Sequence, residues 1–216
     1  MAFIKNCFLI VVFLVMVNLF CAFAQDKTNH YLNSGFKPSV VLFKSGVIEE
    51  VGLNYHNITE EMVYIQNGTF YALDRIDNID TIFLDQNKFI PHAGHFLEVL
   101  KKENVMLFVR HKNKLINAGS TTPFGSSQSN AIDNITNIIS TGKVYELDIA
   151  GNFKLVSDYG YYVKVGNDFH RITNNRDLIK LFPGSDRDMR EYIRANKIKL
   201  NQADDLHRLL IFLQPE

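Results

Sequence analysis

The sequence predicts an α+β fold: an antiparallel β-meander, built as a small barrel or roll or as an open sheet, with a C-terminal cap of about three short helices. Three observations carry this. Between Pro38 and Lys112, short β-branched and apolar runs are divided by Gly, Asn and Asp turns, the pattern of a meander. Asn67-Gly68 between two such runs is a hairpin signal, because both central residues of that turn need positive φ. Near the C-terminus, Leu206, Leu209, Leu210 and Leu213 recur at i, i+3, i+4 and i+7, one face of a helix.

The N-terminus is expected to be a secretory signal over residues 1–24. Lys5 precedes an apolar run from Cys7 to Val17, and Ala22-Phe23-Ala24 places small residues before Gln25. That order of charge, apolar stretch and small-residue site is the signal pattern. The run is short for a span of roughly 20 residues, and Phe20 before Cys21 does not suit a lipid anchor. Cleavage would remove Cys7 and Cys21, the two cysteines of the chain, leaving no thiol, disulfide or cysteine metal ligand. It would also remove Lys5, so 22 cations would face 23 anions. A net charge near −1 offers no general attraction to nucleic acid or anionic lipid, so no nucleic-acid partner is expected.

Residues 25–37 read as a flexible, solvated leader and residues 38–112 as the β-meander. Here Ser39–Phe43, Val47–Tyr55, Met62–Gln66, Thr69–Leu73, Thr81–Leu84, Lys88–Ile90, His95–Leu100 and Val105–His111 are the expected strands. Residues 113–142 read as a polar loop or linker centred on Gly119–Asn130 (GSTTPFGSSQSN), with isoleucines from Ile132 to Ile139 that allow a short helix. A soft boundary falls there. Residues 143–216 return to strand at Lys143–Ile149, Phe153–Val156, Tyr161–Val165 and Phe169–Ile172, then turn helical. Asn174 or Asn175 caps a helix ending near Phe182, before Pro183-Gly184. Ser185 with Asp188 resembles a capping box, Met189, Tyr192 and Ile193 form an apolar stripe, and Asn201 with Asp204 opens the last helix. The middle helix is cationic at Arg187, Arg190 and Arg194, but interspersed acids weaken its field. A structural cap fits better than a nucleic-acid-binding helix-turn-helix.

Few residues suggest chemistry. His92 and His95 lie three apart in a turn and, with His111, could hold zinc on imidazole ligands; nothing in the spacing fixes a third ligand, and turn histidines with solvent or backbone partners fit better. Asp74, Asp77 and Asp80 lack the calcium-loop rhythm and read as solvated acids around Ile76, Ile79 and Ile82. Arg110 and Lys112, in a basic strand end, could meet phosphate or an acidic glycan, or simply discourage edge pairing. Tyr161 and Tyr162 on one strand could contribute to an aromatic platform for sugar or peptide, one of them facing solvent, with core packing as the default reading. Glu49-Glu50 and Glu60-Glu61, as strand neighbours, point to opposite faces and make poor acid/base pairs. Asn57, Asn67 and Asn134 head N-x-T sequons. No nucleophile elbow or phosphate-binding loop occurs, so no catalytic residue and no cofactor is assigned.

The stretches Gly46–Pro91, Leu107–Leu115 and Tyr161–Leu200 resemble a group of uncharacterised exported proteins from Bacteroidetes bacteria. The resemblance implies an envelope or extracellular setting and carries over no site residue. The expected function is an exported, non-catalytic binding or assembly module of the bacterial envelope, with another envelope protein or a glycan as partner. The alternatives are a hydrolase acting on envelope polymers and a periplasmic metal or small-ligand binder.

Overall fold

A computed structural model describes residues 30–102, 105–117, 143–146 and 153–213. The expected signal peptide and the isoleucine-spaced segment at 132–139 lie outside the described residues. The strands are β1 (Lys37–Phe43), β2 (Ile48–His56), β3 (Glu61–Gln66), β4 (Thr69–Ala72), β5 (Ile79–Leu84), β6 (Asn87–His92), β7 (His95–Lys102), β8 (Val105–Arg110), β9 (Asn113–Asn117), β10 (Phe153–Ser157), β11 (Gly160–Val165) and β12 (Asp168–Ile172). The helices are α1 (Asn175–Leu181), α2 (Asp186–Asn196) and α3 (Ala203–Leu213). Ten strands form one antiparallel sheet in the order β12-β11-β8-β7-β6-β5-β1-β2-β3-β4, and β9 pairs with β10. The sheet is not closed, so β4 and β12 are its edges. No helix among the described residues is long and apolar enough to cross a membrane.

Alternation decides which face each side chain takes. Val41, Leu53, Tyr55, Met62, Ile82, Leu84, Phe89 and Phe96 all project to one face, the inner face, and bury together. They can do so because the sheet rolls: the Tyr55 ring stacks on Phe89 across the fold, centroids 5.8 Å apart, and β3 approaches β7. The inner face continues past the roll onto β8, β11 and β12. There Leu107, Val109, Tyr161, Val163 and Ile172 bury against Leu178, Met189, Leu206, Leu209, Leu210 and Leu213 of the helices. Each such leucine taken out of water contributes roughly 1.5–3 kcal/mol, which the short helices need because none is stable alone.

Several expectations are corrected. The leader is fastened over residues 30–36: Leu32 N–H donates to the Tyr55 carbonyl and Asn57 N–H to that of His30, the Asn54 amide holds Asn33 and Gly35, and Tyr31 is buried. The segment expected as loop from residue 113 begins as β9. Its register with β10 continues that of β8 with β11, so residues 107–117 and 153–163 form one long ribbon, interrupted at His111-Lys112 and Asp158-Tyr159 but still bridged by the Asp158 N–H to the Lys112 carbonyl, 2.7 Å. The sheet thus runs across the boundary expected near 113. Lys143–Glu146 is a 3-10 turn rather than a strand; Tyr145 Oη donates to Glu61, 2.6 Å, and its ring meets His56.

The helix caps follow the sequence in part. Asn174 caps α1 in a capping box with Asp177. Ser185 makes no side-chain cap at α2; its hydroxyl donates back to the Phe182 carbonyl, 2.6 Å, and closes the Pro183-Gly184 turn instead. Helix α3 starts at Ala203, and Asp205 rather than Asp204 reaches back, to the Lys199 N–H, 2.9 Å.

Candidate functional site

Five of the residues singled out in sequence, His92, His95, Arg110, Lys112 and Tyr162, converge where the β6–β7 turn, the β8–β9 junction and the β2–β3 turn meet. Ala93 and Gly94 take φ of 48° and 78°, the two positive values of a tight hairpin turn. This sets His92 opposite His95 on the outer face of the sheet. Arg110, at the end of β8, also faces outward, and Lys112 follows two residues on. Tyr162 pairs with Phe108 on one side and Arg171 on the other, so all three share that face.

Glu60 completes the site, and sequence reasoning missed it. It occupies the β2–β3 turn with φ of 64°, a left-handed conformation that costs a non-glycine residue about 1–2 kcal/mol. Its N–H donates to the His56 carbonyl, 2.8 Å, which holds the turn. The residue is only 3% exposed. Its carboxylate accepts from Arg110 Nε and from Lys112 Nζ, 2.6 Å. Burial alone would push the carboxyl pKa up, but these two cations outweigh it and hold Glu60 below its ordinary range. The clasp joins the free side of the roll to the β8–β9 ribbon; beside it Asn113 N–H donates to the Asn57 carbonyl, 2.8 Å.

Arg110 also donates from Nη2 to His95 Nε2, 3.0 Å. A guanidinium cannot accept, so that nitrogen carries no proton and His95 is neutral. His95 Nδ1 lies 3.9 Å from Glu60. Burial first, then the positive charge of Arg110, holds His95 below its ordinary pKa, against a smaller upward pull from Glu60. His92 is lowered by burial, then by His95 and Arg110; its ring packs on Phe169, 4.6 Å, and Tyr162, 5.8 Å.

His111 goes the other way. It faces inward, where its Nε2 meets the Glu98 carboxyl in a short hydrogen bond, and Tyr55 donates to its carbonyl, 3.0 Å. The three histidines considered for zinc are therefore split between two faces. Among the described residues no group of three His, Cys, Asp or Glu side chains is placed to hold a metal ion. Tyr161 and Tyr162 are both buried, at 6% and 9%, which corrects the expectation that one faces solvent. The sheet is covered on its inner side by the helices, and on its outer side Tyr162 is covered by packing with Leu97, Phe108 and their neighbours. Asn57 is 3% exposed, so the folded chain does not present that sequon; Asn67 sits in an exposed turn, and Asn134 lies outside the described residues.

Concave features also lie elsewhere. An open cleft of about 870 Å³ at the β1–β2 and β4 side of the roll is bordered by Tyr64, Tyr71, Lys44, Glu49, Asp74 and Arg75, two acids matched by two cations. A cavity of about 350 Å³ between the sheet and α3 is bordered by Glu98, Asp204 and His207. The acids Asp74, Asp77 and Asp80 are exposed around buried Ile79 and Ile82, as the sequence suggested. No protein-family model, curated protein or solved structure matches this chain.

Proposed function

We propose that the protein is an exported, non-catalytic binding or assembly module of the bacterial envelope. The observation that carries this reading is the mutual occupation of its acid/base groups beside a sheet face that keeps cations exposed. Glu60 is neutralised by two cations, His95 is held by Arg110 and Glu98 is held by His111. The outer face of β6, β7, β8, β11 and β12 stays partly open, with Met106, Lys88, Lys164 and Arg171 exposed. Such a face suits recognition better than proton transfer. The export half of the proposal rests on the signal-like sequence at residues 1–24. The test is in-cell crosslinking in the native host from a photoreactive residue placed at position 164. Specific, stoichiometric capture of one envelope component, protein or polymer, is expected.

A second reading, a hydrolase acting on envelope polymers, is favoured by the cavity that brings Glu98, Asp204 and His207 to one space. Turnover of an envelope polymer by the purified protein, abolished by Glu98→Gln, would establish it and overturn the first.

A further inference from the structure

We infer that the outer face of the β6–β12 half binds an acidic polysaccharide, one carrying uronate carboxylates, as an extended chain. This rests on the binding-module reading above and names its ligand class. The first support is charge. Among the described residues, the outer side of β6, β8, β9, β11 and β12 carries Lys88, Arg110, Lys112, Lys114, Lys164 and Arg171. The carboxylates on that side are Glu60 and Asp158, and both are already bound, Glu60 by Arg110 and Lys112 and Asp158 by Lys114 at 2.8 Å. Among the described residues of that side, Lys88, Lys164 and Arg171 are left without an ion pair, on a chain whose overall charge is balanced. The cleft on the far side of the roll, by contrast, matches its charges internally.

The second support is layout. The cations are interleaved with rings in cross-strand rows. Arg171 lies opposite Tyr162, Tyr162 opposite Phe108, and Phe108 opposite Val99. Lys164 lies opposite Phe169. From Lys88 on β6 to Arg171 on β12 is four inter-strand steps, roughly 19 Å, the reach of a polymer rather than of a single ion. Gly160 makes the centre of the row possible. A Cβ there would stand 3.2 Å from the Tyr162 ring, tighter than ordinary contact, and 3.6 Å from Arg110 Cβ and Arg171 Nε, so its absence gives the Tyr162 ring room beside Arg171.

The third support selects a glycan over a single-stranded nucleic acid. Bases bind by stacking on open aromatic faces. Here Tyr162 and Phe108 are buried. Lys164 lies over Phe169 at 5.3 Å and Lys88 over Phe83 at 6.0 Å, so each of those rings already carries an ammonium on one face. What the surface does offer is fixed positive charge, apolar ring edges, and two imidazoles beside Arg110. The His95 tautomer set by Arg110 leaves an N–H at Nδ1. Carboxylates, sugar C–H faces and hydroxyls complement those three features in turn.

The experiment measures binding of the purified protein to polygalacturonate, with neutral dextran and a thymidine 20-mer as comparison ligands. Binding to polygalacturonate that weakens with salt, with no retention by dextran, is expected. The double variant Lys164→Gln/Arg171→Gln changes exposed residues, and its fold is checked by circular dichroism and thermal melting. It is expected to bind on the order of tenfold more weakly. Arg187→Gln/Arg194→Gln, on the exposed face of α2, is expected to stay within about twofold. No binding of polygalacturonate at low salt, equal loss in both double variants, or tighter binding of the thymidine 20-mer would each overturn the inference. Crosslinked capture of a protein from position 164 together with no polygalacturonate binding sinks the ligand class but leaves the module standing; polymer turnover lost in Glu98→Gln sinks the module itself.

Discussion

The two halves of the inner face are buried by different means. In the roll, β1–β3 and β5–β7 supply both walls of the core, and Tyr55, Phe89 and Phe96 fill it from strands alone. In the other half, β8, β11 and β12 supply one wall and the three helices supply the second. The roll therefore spends its inner face on itself, and segment 30–36 with Tyr145 packs against the opposite side of its β2 end. The helix-capped half has its helices on the inner side, and among the described residues its outer face keeps Lys88, Met106, Lys164 and Arg171 exposed around the buried Leu97, Phe108 and Tyr162. The roll's curvature covers the centre of its inner face and segment 30–36 meets the outer side of its β2 end, and the cleft left at its β1–β2 and β4 side has its charges matched; the helix-capped half keeps unmatched cations on its outer face.

The largest effects come from breaking either core. Phe89→Ala is expected to cost about 3–5 kcal/mol and Leu206→Ala about 2–5 kcal/mol, both read by chemical denaturation. Hydrogen exchange sharpens the contrast. If the halves are one cooperative unit, Leu206→Ala lowers protection in β2 and β6 as well as in the helices; protection lost from the helices alone would separate them.

The clasp between the halves comes next. Glu60→Ala leaves Arg110 and Lys112 facing a hole, and an ion pair broken at a buried carboxylate costs about 3–5 kcal/mol. Because both cations are partly exposed, solvent recovers some of this, and about 2–3 kcal/mol is expected. The measurement is the urea midpoint. In Glu60→Gln, His95 loses its one upward pull and should titrate lower still by NMR; an unchanged His95 would mean that the two do not interact.

Acid should loosen the same joint in two stages. His92 and His95 have folded pKa values below their ordinary 6.5. Between that value and the folded one the unfolded chain holds more protons, so stability falls as pH drops below about 6.5. Glu60, lowered from its ordinary 4.5, adds a second loss below that pH. Above pH 7 neither loss occurs, and the Glu60 contribution is fully present. A melting temperature that rises on acidification from pH 7 to 5 would contradict the assignment.

The smallest expected effect is local. Asn174→Ala removes the α1 cap, which accepts from Arg176 N–H at 2.8 Å, and should cost about 1 kcal/mol. It should leave the roll's exchange protection untouched.

Most of the meander was legible because one covered face imposes period-two alternation, and the Asn67-Gly68 turn fixed a hairpin register. The α3 stripe was legible for the same reason at helical period. Tyr161 and Tyr162 were misread because adjacent residues that are both buried erase alternation. Glu60 left no trace in sequence: its partners lie 50 and 52 residues away, and only the rolling of the sheet brings them near. Segment 30–36 looked solvated because its attachment runs largely through backbone and amide hydrogen bonds, which composition does not reveal. The outer-face cations were visible singly, at Arg110 and Lys112, but their grouping with Arg171 and Lys164 needed the β8–β11–β12 register.

That register also orders the assembly of the fold in time. Most neighbouring strands are joined by short turns, whereas β8 waits for β11, with Tyr162 pairing to Phe108 over a sequence separation of roughly 50 residues, a closure that costs about 3.5 kcal/mol of entropy. Local hairpins form in microseconds and distant pairings later. During that interval β8 is an open edge presenting Leu107 and Val109, the kind of strand that recruits other chains. The pairing that ends this exposure also brings in Tyr162 and Arg171, so the outer surface matures only as the aggregation hazard disappears.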